Sequence, residues 1–167
     1  MCMKRLDSQS GRQIPYSAGI GQLEEFYQKQ YELIKSGNTD LATFELVMLG
    51  NALDFIQIVR SVLGSSLDGS EKSVDTFEEV LDALKRGIAN KIVFTIAESA
   101  LADKAAAYLG FLIIVNIGGE WEDTENGAAV SVNGRTAFTG EFVRQRLSGE
   151  TELSAVQYYK NIKPLKK

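Results

Sequence analysis

Carboxylates are the side chains that offer chemistry in this chain, because it contains no histidine and only one cysteine. They are densest at Glu120, Glu122, Asp123 and Glu125. Oxygen ligands at short spacing can bind a divalent cation, but an EF-hand pattern is missing. On a strand, Glu120 and Glu122 would share one face while Asp123 points away. Because the EF-hand spacing is missing and the carboxylates would not all share one face, we favour a solvated acidic loop, with an acidic binding surface as the alternative.

Asp54 is the most interesting isolated carboxylate, because apolar residues flank it in sequence. Burial would raise its pKa and make it an acid or a base. Immediate neighbours on a helix point in other directions, however, so we prefer exposure of Asp54 together with Asn51 and Gln57.

The composition also removes several classes of function. Without histidine, the chain cannot supply a Ser-His-Asp triad, a Cys-His pair or a histidine-based zinc site. Cys2 is the only thiol, so no internal disulfide can form. The net charge of -4 lacks the basic excess of a nucleic-acid-binding protein. No signal-peptide pattern or bilayer-length apolar run stands out. We therefore predict a cytoplasmic protein with no cofactor, no nucleic-acid partner and no membrane span.

The domain organisation follows from length and pattern. A chain of 167 residues with 44% hydrophobic composition can bury one core. We predict a flexible arm over residues 1–20, a single globular domain over 21–163 and a basic tail over 164–167. The fold class is α+β, with N-terminal helices packed on a small three-stranded antiparallel sheet and followed by short C-terminal helices.

The N-terminal half has helical periodicity. Apolar spacing predicts helices over 22–35 and 41–63, with a kink or a break at Gly50-Asn51. Asp75 is expected to cap the third helix, and Glu78 completes a capping-box-like pattern. A fourth helix is expected over 90–116, although 92–96 is also consistent with a short strand.

The C-terminal part changes to short alternating segments. Strands are predicted over 120–123, 128–132 and 135–138, and Asn133-Gly134 suits a type I′ turn. Thr139 is expected to cap a short helix that ends near Leu147. A last helix is expected over 153–162.

Three further residues carry alternative interpretations. Trp121, after Gly118-Gly119, either packs on the core or acts as a hot spot for a partner, and core packing is favoured. Gly110 is interpreted as a close approach at a helix crossing, rather than as part of a pocket with Tyr108. Arg144 belongs to a basic end that either meets an acidic partner or is simply solvated.

The spacing of several motifs over residues 73–162 resembles a family of uncharacterised bacterial proteins, a domain of unknown function. The matching residues are Tyr108, Leu109, Gly110, Gly118, Gly119, Trp121, Arg146, Leu147, Gly149, Tyr158 and Tyr159. Phe111 stands where that family has glutamate, so no role of the carboxylate carries over. The resemblance implies no activity.

These observations predict a non-enzymatic protein-binding module, for example one that resembles an immunity protein or an antitoxin. Its candidate partner-binding residues are Glu120, Trp121, Glu122 and Arg144, which would contact another protein or a second copy. The alternative is a small carboxylate-dependent enzyme or ligand-binding domain that uses Asp54 or the acidic segment.

Overall fold

A computed structural model describes residues 14–89 and 97–163. The helices are α1 (Ile20–Lys35), α2 (Phe44–Leu63), α3 (Ser73–Ala89), α4 (Glu98–Asn116), α5 (Thr139–Ser148) and α6 (Ala155–Ile162), and the strands are β1 (Glu120–Thr124), β2 (Gly127–Val132) and β3 (Arg135–Ala137). Short 3-10 turns lie at Tyr16–Ala18 and Thr39–Leu41. The predicted α+β class is confirmed: long helices precede a three-stranded antiparallel sheet, and short helices follow it.

Helix α4 is the centre of the molecule. Every residue from Ala105 to Ile114 is buried, as expected for a helix that is apolar on all sides. Helix α2 packs along it, and β2 and α5 pack on other sides. The core therefore surrounds α4.

Helix α2 is long and apolar enough to pass as a membrane-spanning segment by composition. Half of that apolar stretch is buried within the protein. The core helix of a soluble protein can have the same length and composition. The helix runs without interruption through Gly50, so the predicted break is absent. Gly50 instead makes room for Tyr27, whose hydroxyl would lie 2.6 Å from an added Cβ.

The start of α3 differs from the sequence prediction. The helix begins at Ser73, so Asp75 lies in its first turn instead of capping it. Glu78 forms no capping box; it accepts a hydrogen bond from the Ala155 N–H at 2.7 Å and pairs with Arg146. Glu78 therefore links α3 to α5 and to the beginning of α6.

The sheet has the predicted meander order, β1-β2-β3. Asn133 and Gly134 have φ values of 53° and 75°, the positive angles that a type I′ turn requires. The three strand predictions are confirmed to within one residue.

Thr139 is the first residue of α5 and does not cap it. Its hydroxyl donates to the carbonyl oxygen of Ala128 at 3.4 Å, next to the part of β2 that the short β3 does not reach. Ser154 does cap α6, accepting from the Gln157 N–H at 3.1 Å. The Thr139 hydroxyl therefore satisfies a carbonyl group of β2, and the Ser154 hydroxyl satisfies an N–H group of α6.

Several predicted segments fall wholly or partly outside the described residues: most of the arm (1–13), the strand alternative at 92–96 and the tail at 164–167. Within the described part of the arm, Tyr16 packs against Phe111 of α4, at 6.0 Å between ring centroids. Residues 14–20 therefore belong to the folded body.

Candidate functional site

The two faces of the sheet have opposite environments. Trp121, Val130 and Ala137 lie opposite one another across the three strands, and all are buried. The next row, Glu120, Ser131 and Thr136, is exposed. We call the part of this side that carries the exposed row and the exposed Glu122 the outer sheet face; Ala129, opposite Glu122, is buried.

Trp121 lies on the inner face and is 7% exposed. Its ring packs on Gly110, and its indole N–H donates to the Tyr16 hydroxyl at 3.0 Å. Burial raises the pKa of Tyr16 to about 12, and the indole hydrogen bond opposes part of that shift. The preferred interpretation of Trp121 as a core residue is confirmed, and its indole faces away from Glu120 and Glu122.

Glu120 and Glu122 both lie on the outer sheet face and are exposed. Glu122 reaches across β2, where its Oε1 accepts a hydrogen bond from the Thr136 hydroxyl at 3.5 Å. No described lysine or arginine forms an ion pair with either carboxylate. Within the described residues, no three acidic, cysteine or histidine side chains are placed to hold a metal ion. Because neither carboxylate forms an ion pair with a described lysine or arginine, the outer sheet face is an anionic surface.

Arg144 lies apart from that row. Its guanidinium donates to the carbonyl oxygen of Asn126 at 3.0 Å, at the turn between β1 and β2. A Cβ at Gly127 would be 3.2 Å from Arg144 Nη1, so the glycine permits this approach. Arg144 supports the hairpin that carries Glu120 and Glu122.

A groove that the sequence did not predict adjoins the outer sheet face. Two neighbouring depressions of about 270 and 360 Å³ share Thr136, Leu153 and Tyr158 and run between β3 and α6. Phe138, which is 37% exposed, lines the larger one, and Leu153 is 36% exposed. We call this the β3–α6 groove. Sequence alone gives little sign of it, because its apolar residues come from separate elements.

The floor of the groove is an aromatic pair. The Tyr158 ring stacks on Phe142, with centroids 4.2 Å apart and an interplanar angle of 16°. Burial, with a smaller contribution from Glu141, raises the pKa of Tyr158, so the phenol stays neutral. Such a ring offers a ligand both apolar surface and a hydroxyl.

The other sequence candidates are placed elsewhere. Asp54 is 61% exposed at its side chain and pairs with Lys104 at 2.9 Å, so the preferred interpretation, exposure of Asp54, is confirmed and the buried alternative is not. Tyr108 is fully buried, and its hydroxyl accepts from the Gly69 N–H at 2.9 Å. Gly110 accommodates an indole rather than a helix crossing.

A separate depression of about 210 Å³ lies between α3 and α6. Among its lining residues, Glu71 accepts from the Tyr159 hydroxyl at 2.8 Å and pairs with Lys163 at 2.9 Å. These charges satisfy one another, so the depression offers a ligand less than the β3–α6 groove does.

Comparisons of the chain with known protein families, curated proteins and solved structures found no match. The resemblance to an uncharacterised bacterial family therefore stays a prediction.

Proposed function

We propose that this chain is a non-enzymatic protein-binding module whose binding surface comprises the outer sheet face and the β3–α6 groove. The observation that carries the proposal is the position of Thr136. Its hydroxyl contacts Glu122 on the anionic face, and the same residue lines the groove. Negative charge and exposed apolar surface are therefore continuous.

The composition of this surface suits a protein partner. Exposed apolar residues beside polar ones are typical of interaction sites, and aromatic residues contribute strongly to binding. Phe138 and Leu153 supply the apolar part, while Glu120 and Glu122 supply negative charge that no lysine or arginine among the described residues neutralises in an ion pair. The complementary partner carries a basic surface with apolar residues nearby.

An anionic surface of this kind would serve an antitoxin-like or immunity-like protein, because it can cover a basic active site. A cytoplasmic setting, which the composition predicts, and a bacterial one, which the family resemblance implies, are part of the same proposal. The alternative, a carboxylate-dependent enzyme or a ligand-binding domain, also stays a prediction. A hydrolase screen of wild type and Asp54→Asn tests it, and activity lost in the variant would favour it.

The test of the proposed function is quantitative capture of partners from a lysate of the source organism, with the double variant Glu120→Lys/Glu122→Lys beside wild type. The matched control is Asp123→Lys/Glu125→Lys, which changes the net charge equally but alters Asp123, on the opposite side of β1 from Glu120 and Glu122, and Glu125, beyond the end of β1. We expect a protein captured by wild type and by the control to fall at least tenfold with the first variant.

A second arm addresses the groove. Leu153→Ser removes exposed apolar surface there, whereas Val62→Ser removes it from the C-terminal end of α2, outside the residues that line the groove. We expect the first substitution alone to weaken capture of the same protein. Equal recovery by all the variants would refute this binding surface.

A further inference from the structure

We propose, building on the proposed function, that the partner binds through an extended segment with alternating basic and apolar residues, which adds to the sheet as a fourth strand along β3. Extended peptides that join a sheet edge gain main-chain hydrogen bonds, and pockets for alternate side chains give specificity. Both features are present at β3.

The edge of β3 is open. β3 pairs with β2 on one side, and no other described strand pairs with it. Val132 and Arg135 flank the two-residue turn and form a hydrogen-bonded pair, so the Ser131–Thr136 pair that follows is not hydrogen-bonded. The N–H and C=O of Thr136 therefore point away from β2. No turn or loop hydrogen bond among the described residues uses them.

The outer side of an added strand would meet negative charge. Neighbouring strands lie about 4.8 Å apart, so a fourth strand would lie one strand spacing from Thr136. Glu122 already extends over β2 to the Thr136 hydroxyl. A lysine or arginine on the outer side of the added strand can therefore reach Glu122.

The inner side would meet the groove. Side chains alternate along a strand, so every second residue of the segment would point under β3. There the lining includes Ala137, Leu153, Tyr158 and Ile162. Arg135 marks one end, where its guanidinium donates to the Asn161 carbonyl oxygen at 2.7 Å. Valine or leucine at the inward positions fits this lining.

Charge argues against a second copy of the chain as the occupant. A two-fold pairing of β3 edges through Thr136 would bring Glu122 of both copies over the same seam. Like charges that face each other across strands are destabilising. A basic segment of another protein neutralises the same carboxylate. The surface therefore favours a basic heterologous partner over self-association.

The direct test is titration of the ¹⁵N-labelled chain with the blocked peptide acetyl-Lys-Val-Lys-Leu-Lys-Val-Lys-amide. We expect amide shifts concentrated at 134–138 and slower hydrogen exchange at the Thr136 N–H. The peptide with glutamate at each lysine position is the charge control and should bind at least tenfold more weakly. No binding of the lysine peptide at millimolar concentration would overturn the proposal.

Two further changes isolate the main-chain contribution. Thr136→Pro removes the outward N–H, a change that edge strands tolerate, and Thr136→Val keeps it. We expect the proline variant to bind the peptide at least tenfold more weakly and the valine variant to bind within threefold of wild type.

A second form of this test changes the peptide and leaves the protein unaltered, so its result does not depend on how a variant folds. One peptide is N-methylated at its lysine residues and another at its valine and leucine residues. Only one of these two sets of N–H groups would face β3, so only one peptide loses its main-chain donors to β3. We expect one methylated peptide to lose binding and the other to keep it.

The outcomes separate the two proposals. If Glu120→Lys/Glu122→Lys weakens partner capture while Thr136→Pro and both methylated peptides bind normally, the binding function stands and strand addition is refuted. If neither the charge variants nor the backbone changes have any effect, both proposals fail.

Discussion

The ring of Trp121 fills the space that a side chain at Gly110 would occupy: an added Cβ would lie 2.3 Å from Cη2 of the indole. Val130 is also near, with Cγ2 at 3.1 Å from the same point. The sheet can rest on α4 at this depth because residue 110 has no side chain.

Gly110→Ala should therefore destabilise the protein by about 1–3 kcal/mol, the usual cost of overpacking a core. The matched control is Gly21→Ala in α1, where an added Cβ meets nothing within 4 Å. Helix propensity alone should make that variant more stable, by up to about 1 kcal/mol. Urea unfolding followed by Trp121 emission measures both. Equal changes in the two variants would contradict the packing relationship.

Removing the hydroxyl that receives the indole hydrogen bond should also be costly. Tyr16→Phe leaves the N–H of Trp121 without its partner in a largely buried site, which costs about 1–3 kcal/mol. Tyr31→Phe is the control, because Tyr31 is exposed. The free energies of unfolding should differ by at least 1 kcal/mol; indistinguishable values would show that water replaces the hydroxyl.

Alkaline pH should weaken the fold through buried tyrosines. Burial raises the pKa of Tyr16 and of Tyr108 from 10.0 to about 12. Between these values the unfolded chain has released the phenolic proton and the folded chain still holds it. The stabilisation is therefore complete below pH 10 and is lost as the pH rises through about 12, with a slope of up to about 1.4 kcal/mol per pH unit for each group.

This pH dependence is tested by urea unfolding at pH 9, 10 and 11 for wild type, Tyr16→Phe and Tyr31→Phe. Tyr16→Phe should lose stability less steeply between pH 10 and 11 than the other two proteins. Parallel curves for all three would rule out the contribution of Tyr16.

Arg146 is a buried charged side chain that links α5 to α3. It is 7% exposed and pairs with Glu78 and Asp82 of α3. Arg146→Met should cost about 3 kcal/mol, because the partially buried Glu78 loses its cationic partner. Lys104→Met removes the partner of the exposed Asp54 and should cost less than about 1 kcal/mol. Comparable losses in both variants would show that burial does not distinguish the two pairs.

The features that the sequence predicted are those decided by nearby residues. Asn133-Gly134 specifies its turn by backbone preference, and strand alternation separates Trp121 from Glu120 and Glu122. Gly50 shows the limit of this reasoning, because its low helix propensity suggested a break. The residue serves the packing of Tyr27 on an unbroken helix instead.

The features that the sequence missed depend on long-range contacts. Glu78 fits a local capping pattern, but it pairs with Arg146, 68 residues away. Phe138 and Leu153 are unremarkable in sequence and become a surface only when β3 and α6 are brought side by side. The acidic residues of the candidate site could therefore be predicted from the local sequence, whereas its groove could not.

The hydrogen bond between Tyr16 and Trp121 joins residues 105 positions apart. During synthesis Tyr16 leaves the ribosome long before Trp121 exists, and contacts of such separation form slowly because closing the intervening loop costs entropy. The segment at Tyr16 is therefore expected to dock late, after the hairpin has closed over α4. Until that docking we expect one side of the indole to stay uncovered, so that it offers apolar surface to a chaperone.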